Sequence, residues 1–328
     1  MQPNHSSGVA VSGQPGPRSP SFPAPGLMPA LEGRPWRYFA LSAVGLMLAF
    51  GFPLWNLILF AAGSALYSYI LLIPFISSYL VWINRRNLPP HSPPPRRAAA
   101  GFVAAGSLIL IVYWLVLCPR VKLAEEDYLA AMTISFLLLL GGAGCLFLGR
   151  KLLKAIAFPL VFLMFMIPLP AFAVNAIDTF LQHGSAAVAG FFFKLSGTPV
   201  LDDGLVFQLP GISIRVAPEC SGIHSSLVLF ITSVLAGQVF LRTPWKRTVF
   251  VLVVIPLAML RNGFRIFTVG ELCVHIGPQM INSFIHRSGG PLFFVLSLIP
   301  LLLVLLLLKK SERTGSKRQS STTRHDHA

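Results

Sequence analysis

The sequence predicts an all-α protein, a polytopic bundle of about eight transmembrane helices with one extracytoplasmic loop or hairpin. Hydrophobic residues make up 54% of the 328 residues and charged residues only 11%, with a mean hydropathy of +0.71. Too few polar side chains remain to cover a soluble globule of this size. Apolar runs of roughly 20 residues are long enough to cross a bilayer. Such runs predict spans near 38–60, 64–83, 98–118, 128–148, 155–174, 220–241, 247–268 and 290–308.

Composition divides the chain into three parts. Residues 1–36 are rich in Pro, Ser and Gly, which predicts a disordered cytoplasmic tail. Residues 37–308 form the predicted integral membrane domain, and residues 309–328 form a basic cytoplasmic tail. Within the membrane domain, 174–195 is apolar but interrupted by polar side chains, so it either spans or lies in the interface. Residues 197–218 hold Pro, Gly and Asp around short apolar–polar alternations, which predicts a hairpin or loop.

The distribution of basic residues predicts the orientation of the spans. The net charge is +15, but the basic residues stand in short clusters between apolar runs, which is typical of membrane proteins rather than of nucleic-acid binding. With both termini cytoplasmic and 174–195 in the interface, most of the 26 Lys and Arg residues lie inside. Those left outside are Arg120, Lys122, Lys194, Arg215, Arg261, Arg265 and Arg287. This orientation puts 197–218 and the loop at about 269–289 on the extracytoplasmic side.

Cys220 is the candidate nucleophile of the outer face. It stands in the run APECSGIHSS at 217–226, and Pro218 predicts a helix start that places Cys220 within the first turn. Unpaired amide hydrogens and the helix dipole at such a position favour a thiolate. Two alternatives are a disulfide with Cys273 and simple packing. Packing is the expected role of Cys118 and Cys145, which lie in or beside apolar runs.

Arg261, Asn262 and Arg265 form a polar group near the outer end of the next span. The two arginines are four residues apart and therefore share one helix face. A charge at membrane depth costs roughly 2.5–3.5 kcal/mol on insertion scales, so it usually faces the bundle interior or a water-filled cavity. A single arginine can snorkel to the headgroups, but two are expected to serve a site. There they stabilise a thiolate, bind a carboxylate or hold an oxyanion.

His286 is the best-placed acid–base candidate, because it lies just before the last predicted span, in IHRSGGP at 285–291. His224 and His275 are weaker candidates. Metal-ligand spacings such as C-x-x-C or H-E-x-x-H are absent from the sequence, so we predict neither a metal site nor a cofactor. Phosphate-loop and G-x-S-x-G motifs are also absent, which argues against nucleotide hydrolysis and serine hydrolase chemistry.

Together, PECSGI at 218–223, N-x-x-R at Asn262–Arg265 and H-x-x-G at His286–Gly289 resemble the exosortase/archaeosortase family. The resemblance covers about 158–308, which would be the catalytic half. It implies a bacterial inner-membrane cysteine protease or transpeptidase. Its partners would be exported proteins whose C-terminal sorting signal consists of a short motif, a transmembrane helix and a basic tail, and some members serve exopolysaccharide systems.

Carried over to this chain, the resemblance makes Cys220 the nucleophile that forms a thioester. Arg265 or Arg261 would polarise the carbonyl, with Arg265 favoured, and His286 would act as acid and base. Asn262 and His224 would be supporting residues. An alternative interpretation is a non-catalytic membrane component of envelope polysaccharide assembly or transport, in which the arginines bind phosphate or glycan and Cys220 packs.

Overall fold

The predicted all-α membrane bundle is confirmed. A computed structural model describes residues 34–85, 88–89, 92–117, 124–216, 222–277, 279–280 and 290–325. Within them, five uninterrupted helices are long and apolar enough to cross a membrane, and two bent helix pairs raise this number to as many as seven. A shorter apolar helix over Ser68–Asn84 corresponds to the remaining predicted run. The predicted count of about eight therefore stays a prediction.

The N-terminal half packs around one long helix. Helices α1 (Arg34–Ala49) and α2 (Gly51–Gly63) meet at a bend of 73°, so the predicted run 38–60 is broken rather than straight. A 3₁₀ turn at Ser68–Leu72 leads into α3 (Ile73–Asn84). Helix α4 (Arg96–Val112) then packs along α5 (Glu125–Phe147). Glycines on both helices permit this approach, because a Cβ at Gly142 would lie 2.8 Å from Val103 Cγ2.

The middle of the chain differs from the predicted span at 155–174. The short helices α6 (Gly149–Ala155) and α7 (Ala157–Phe162) and a 3₁₀ turn at Leu163–Met166 precede α8 (Ala171–Ser196). The chain bends by 89° between Ala157–Met166 and α8. The run 155–174 is therefore not one straight helix. The ambiguous 174–195 segment belongs instead to α8, whose 26 residues extend about 39 Å at 1.5 Å per residue.

After α8, the predicted hairpin is a three-stranded antiparallel meander. It consists of β1 (Leu201–Asp203), β2 (Val206–Leu209) and β3 (Ile212–Arg215), with β2 in the centre. Phe207 pairs with Ile214, and both side chains are buried on the face that packs against Phe193 of α8. The sheet is thereby fixed to the end of α8 by an apolar core.

The C-terminal half consists of α9 (Ile223–Phe240), α10 (Pro244–Leu252), α11 (Val254–His275) and α12 (Gly290–His325). Helices α10 and α11 form one 32-residue helical segment, Pro244–His275. Helix α12 continues from the predicted last span into the predicted basic tail. The carboxylate of Glu312 on α12 accepts hydrogen bonds from the backbone amides of Arg242 and Thr243, which ties α12 to the α9–α10 turn.

Helices α8 and α11 run side by side in the same direction. A Cβ at Gly184 would meet Met259, one at Gly263 would meet Val188 and the carbonyl of Ser185, and one at Gly270 would meet Phe193. The residue numbers of the contacting positions therefore increase together on the two helices, which means that α8 and α11 are parallel. Helix α9 runs the opposite way along the α10–α11 segment, because Gly222 contacts Arg261 of α11 while Gly237 lies beside Phe250 of α10. This arrangement places the start of α9 beside the polar residues of α11.

Candidate functional site

The candidate site is built around the carbonyl oxygen of Gly222, the N-cap residue of α9. Gly222 has a φ of +74°, a left-handed conformation that favours glycine. Its carbonyl accepts hydrogen bonds from Ser226 N at 3.0 Å, Ser225 Oγ at 3.0 Å, Ser226 Oγ at 2.8 Å and Arg261 Nη2 at 3.3 Å. Four donors on one oxygen hold this peptide in a single orientation.

Arg261 supplies the tertiary part of this arrangement. Its side chain reaches from α11 to α9, where Nη2 donates to the carbonyl of Gly222 and, at 3.2 Å, to Ser226 Oγ. The residue is only 8% exposed. A buried guanidinium is costly unless its donors are used. Yet Nη1, which is also buried, has no hydrogen-bond partner among the described residues.

Asn262 and Arg265 complete the polar face of α11. Asn262 is 2% exposed, and its Oδ1 would lie 3.2 Å from a Cβ at Gly222, so the glycine permits a contact that any side chain would obstruct. Arg265 is half-buried, one helical turn beyond Arg261 and on the same face. Arg261 and Asn262 therefore both touch Gly222, which follows Cys220 by two residues in the sequence.

Two anchors flank the segment 217–221, which lies outside the described residues. On one side, Val216 is 1% exposed, its amide donates to the carbonyl of Leu205 at 2.8 Å, and its own carbonyl accepts a hydrogen bond from Gln182 Nε2 of α8. On the other side, Gly222 is held by Arg261 of α11. The two parallel helices α8 and α11 thus fix both ends of the five-residue segment that contains Cys220.

The predicted helix start at Pro218 and the place of Cys220 in a first turn lie outside the described residues and stay predictions. Helix α9 begins at Ile223, with Gly222 as its N-cap. The left-handed conformation of Gly222 is the physical reason that α9 does not extend before Ile223, because an α-helix of L-residues is right-handed.

Other sequence-predicted residues have mixed outcomes. Cys220 and His286 lie outside the described residues, so their positions, and a Cys220–Cys273 disulfide, stay predictions. His224 is exposed on the first turn of α9. Cys145 is 1% exposed within α5, which confirms its expected packing role, and Cys273 is 3% exposed on α11. Cys118 falls outside the described residues as well.

A second polar cluster was missed by the sequence reasoning. Glu271 on α11 accepts hydrogen bonds from Ser196 Oγ at 3.1 Å and from Thr198 Oγ1, and His275 Nε2 lies 3.1 Å from its other oxygen. The i,i+4 spacing of Glu271 and His275 could have predicted their contact, because side chains four residues apart lie on the same face of a helix. The cluster ties the end of α8 to α11. No group of three or more His, Cys, Asp or Glu residues that could hold a metal occurs within the described ranges.

Fold and site together define a class: a polytopic α-helical membrane protein in which a Cys-containing segment is attached to a buried arginine of a neighbouring helix. Comparison with known families then identifies it further. A family model described as transmembrane exosortase matches residues 55–303, about three quarters of the chain, and the chain belongs to that family. No curated protein and no solved structure matches it.

Proposed function

We propose that this exosortase-family protein is a membrane cysteine transpeptidase that cleaves a C-terminal sorting signal from exported proteins. The single observation that carries the proposal is the hydrogen bond from Arg261 to Gly222, which attaches the PECSG segment to the polar face of α11. Among the described residues, Gly222 is the point where two of the three family-like motifs touch. Family membership supports sortase-like chemistry at the level of the family.

Cys220 is proposed as the nucleophile. Because an extended chain covers at most about 3.5 Å per residue, the Cα of Cys220 lies within about 7 Å of the Cα of Gly222. Covalent connectivity therefore limits how far Cys220 can lie from Gly222, the residue that Arg261 contacts and that caps α9. Positive charge and amide hydrogens near a thiol both favour its thiolate form. This supports a reactive thiol over an inert packing residue.

The proposed reaction has two steps. The Cys220 thiolate attacks the carbonyl carbon of the scissile peptide bond, Arg265 stabilises the oxyanion, and His286 protonates the leaving amine as the C–N bond breaks. The acyl group is then held as a thioester. His286 next removes a proton from the incoming water or amine, which attacks the thioester and releases the thiolate. Arg261 holds the nucleophile segment, which leaves Arg265, one turn further along, as the favoured oxyanion residue.

The same proposal places the site on the extracytoplasmic side of the inner membrane, with both termini in the cytoplasm. If α6 and α7 lie along the cytoplasmic surface, α8 crosses outward, α9 returns, α11 crosses outward and α12 returns. The clusters at 150–154, 242–247 and 309–318 then all lie inside. The parallel packing of α8 and α11 supports this path and keeps the β-sheet outside with the start of α9.

The decisive experiment replaces Cys220 in cells that co-express a protein ending in a short motif, an apolar helix and a basic tail. C220A is expected to abolish processing of that protein, and C220S to reduce it at least a hundredfold, because a serine hydroxyl is a weaker nucleophile without a dedicated base. C145A is the matched control, since Cys145 packs inside α5. Processing by C220A at the rate of the parent protein would overturn the proposal.

A further inference from the structure

Gln182 is a buried polar residue near the middle of the 26-residue helix α8, and the proposed reaction does not use it. It is only 8% exposed. Burying a side-chain amide costs free energy unless the amide is hydrogen-bonded. Its Nε2 donates to the carbonyl oxygen of Val216, which immediately precedes the segment 217–221 that contains Cys220. This hydrogen bond therefore joins α8 to the start of that segment.

The hydrogen bond lies where the chain leaves the sheet. The N–H of Val216 donates at 2.8 Å to the carbonyl of Leu205, which precedes β2, whereas the C=O of Val216 is bound by α8. The side chain of Val216 is 1% exposed and belongs to the apolar core beneath the sheet. Apolar burial is non-directional, so it fixes where this side chain lies but not how the next peptide is rotated. A directional hydrogen bond to the carbonyl fixes that rotation.

The rotation of this peptide sets the direction in which the chain enters 217–221. A peptide unit is planar, so holding the C=O of Val216 holds the whole plane that leads into the segment. At the other end, the carbonyl of Gly222 is held by Arg261. Both peptides that flank the segment are thus held through their carbonyl oxygens, one from α8 and one from α11. Fixing both ends of a short loop removes the conformations that a free end would allow.

The two anchoring side chains keep a fixed spacing because α8 and α11 approach each other closely between them. A Cβ at Gly263 would lie 2.9 Å from the carbonyl of Ser185. Gln182 is three residues from Ser185 on α8. Arg261 is two residues from Gly263 on α11. Each anchor therefore lies within about 5 Å of this close contact along its helix axis, and the contact sets how far apart the two held carbonyls are.

We infer that Gln182 is a positioning residue for the Cys220 thiol; this inference rests on the proposed function. Gln182 acts through the peptide of Val216. By holding one end of the segment, it removes positions of Cys220 that are remote from the charge of Arg261 and from the amides at the start of α9, which favour a thiolate. The apolar core between α8 and the sheet does not depend on this hydrogen bond. Its loss should therefore change the reactivity of the thiol more than the stability of the fold.

The test measures the reactivity of Cys220 in the full-length protein with its other cysteines replaced by alanine. The rate of alkylation by iodoacetamide is recorded against pH in detergent, which gives the pKa of the thiol. Q182M keeps the length of the side chain but has no donor, and Q182N keeps the amide on a chain one methylene shorter. Both are expected to raise the pKa of the Cys220 thiol by at least about 0.5, towards the ordinary value of about 8.5. Both should also lower processing of a co-expressed sorting-signal protein at least tenfold.

S77A is the matched control. Ser77 is 4% exposed, and its Oγ donates at 3.0 Å to the carbonyl of Pro159. The variant therefore also loses a buried hydrogen bond from a side chain to a backbone carbonyl, but away from the site. S77A is expected to lower the thermal midpoint about as much as Q182N while leaving the thiol pKa and processing unchanged. Equal losses of processing in S77A and the Gln182 variants would show that stability alone is responsible, and would overturn the inference.

The outcomes separate this inference from the proposed function. If C220A abolishes processing while Q182M and Q182N keep the parental thiol pKa, the positioning role is overturned and the transpeptidase stands. If C220A leaves processing unchanged, the transpeptidase is wrong, and the alkylation profiles still decide whether Gln182 positions the thiol.

Discussion

Arg261 Nη2 lies 3.3 Å from the carbonyl oxygen of Gly222, across 39 residues of sequence, and this contact joins the second helix of the site to the first. It fixes the residue that follows Cys–Ser in the chain, and it explains why a costly arginine is buried at 8% exposure in an otherwise apolar helix.

Gly222→Ala is expected to reduce substrate processing at least tenfold. The left-handed backbone costs a non-glycine residue about 1–2 kcal/mol, and the new Cβ would lie 3.1 Å from Arg261 Nη2 and 3.2 Å from Asn262 Oδ1. Gly197→Ala is a matched control, because Gly197 has a φ of +76° but nothing within 4 Å of a Cβ. Thermal unfolding in detergent should show that backbone strain destabilises both variants. The processing assay should show a loss of activity only for Gly222→Ala. Equal processing by the two variants would contradict the importance of the contact.

Arg261→Lys and Arg265→Lys are both expected to reduce processing, but only Arg261→Lys is expected to reduce stability substantially. Lysine at 261 cannot reproduce the guanidinium contacts with Gly222 and Ser226, and losing a hydrogen bond to a charged group costs about 1.5–3 kcal/mol. R261K should therefore lower both the thermal midpoint and processing. R265K should lower processing with little change in stability, since Arg265 is only half-buried. S226A removes one partner of Arg261 and should give an intermediate loss of stability. If R261K unfolds and processes like the parent, the anchoring role is wrong.

Gly263→Ala is expected to destabilise the bundle by about 1–3 kcal/mol, the usual cost of overpacking. Its Cβ would lie 2.6 Å from Val188 Cγ1 and 2.9 Å from the carbonyl of Ser185, so α8 and α11 must move apart. The readout is the thermal midpoint of purified protein in detergent. Gly101→Ala is the control, because open space surrounds that position and alanine favours a helix. Adding V188A to G263A should restore part of the loss, and its failure to do so would point to a different packing of α8 on α11.

Single cysteines introduced into a cysteine-free chain test the orientation. Ser213→Cys in the exposed β3 strand is expected to react with a membrane-impermeant maleimide in intact cells, because the sheet is proposed to lie outside. Thr243→Cys, exposed at the α9–α10 turn, should react only after the membrane is permeabilised. The reverse pattern would show that the charge-based orientation is wrong.

Much of the fold was predictable because each membrane span is a continuous run of apolar residues, which can be recognised in the sequence without knowledge of the tertiary structure. Apolar runs located the helices at 96–115, 125–147 and 223–240, and short alternations located two of the three strands. The predicted run 155–174 is not one straight helix. Its hydropathy could not show this, because hydropathy measures composition and an 89° change of direction leaves the run equally apolar. The start of α9 at Ile223 was not predictable from the apolar run, because it is set by the left-handed conformation of a single residue, Gly222.

The sequence by itself determined that this is a helical membrane protein and which of its motifs resemble the exosortase family. Only the tertiary structure decided that Arg261 rather than Arg265 holds Gly222 and that α8 runs parallel to α11. Helix periodicity places both arginines on one face, but which of them is buried depends on where a neighbouring helix begins. That position is set by packing between segments far apart in sequence.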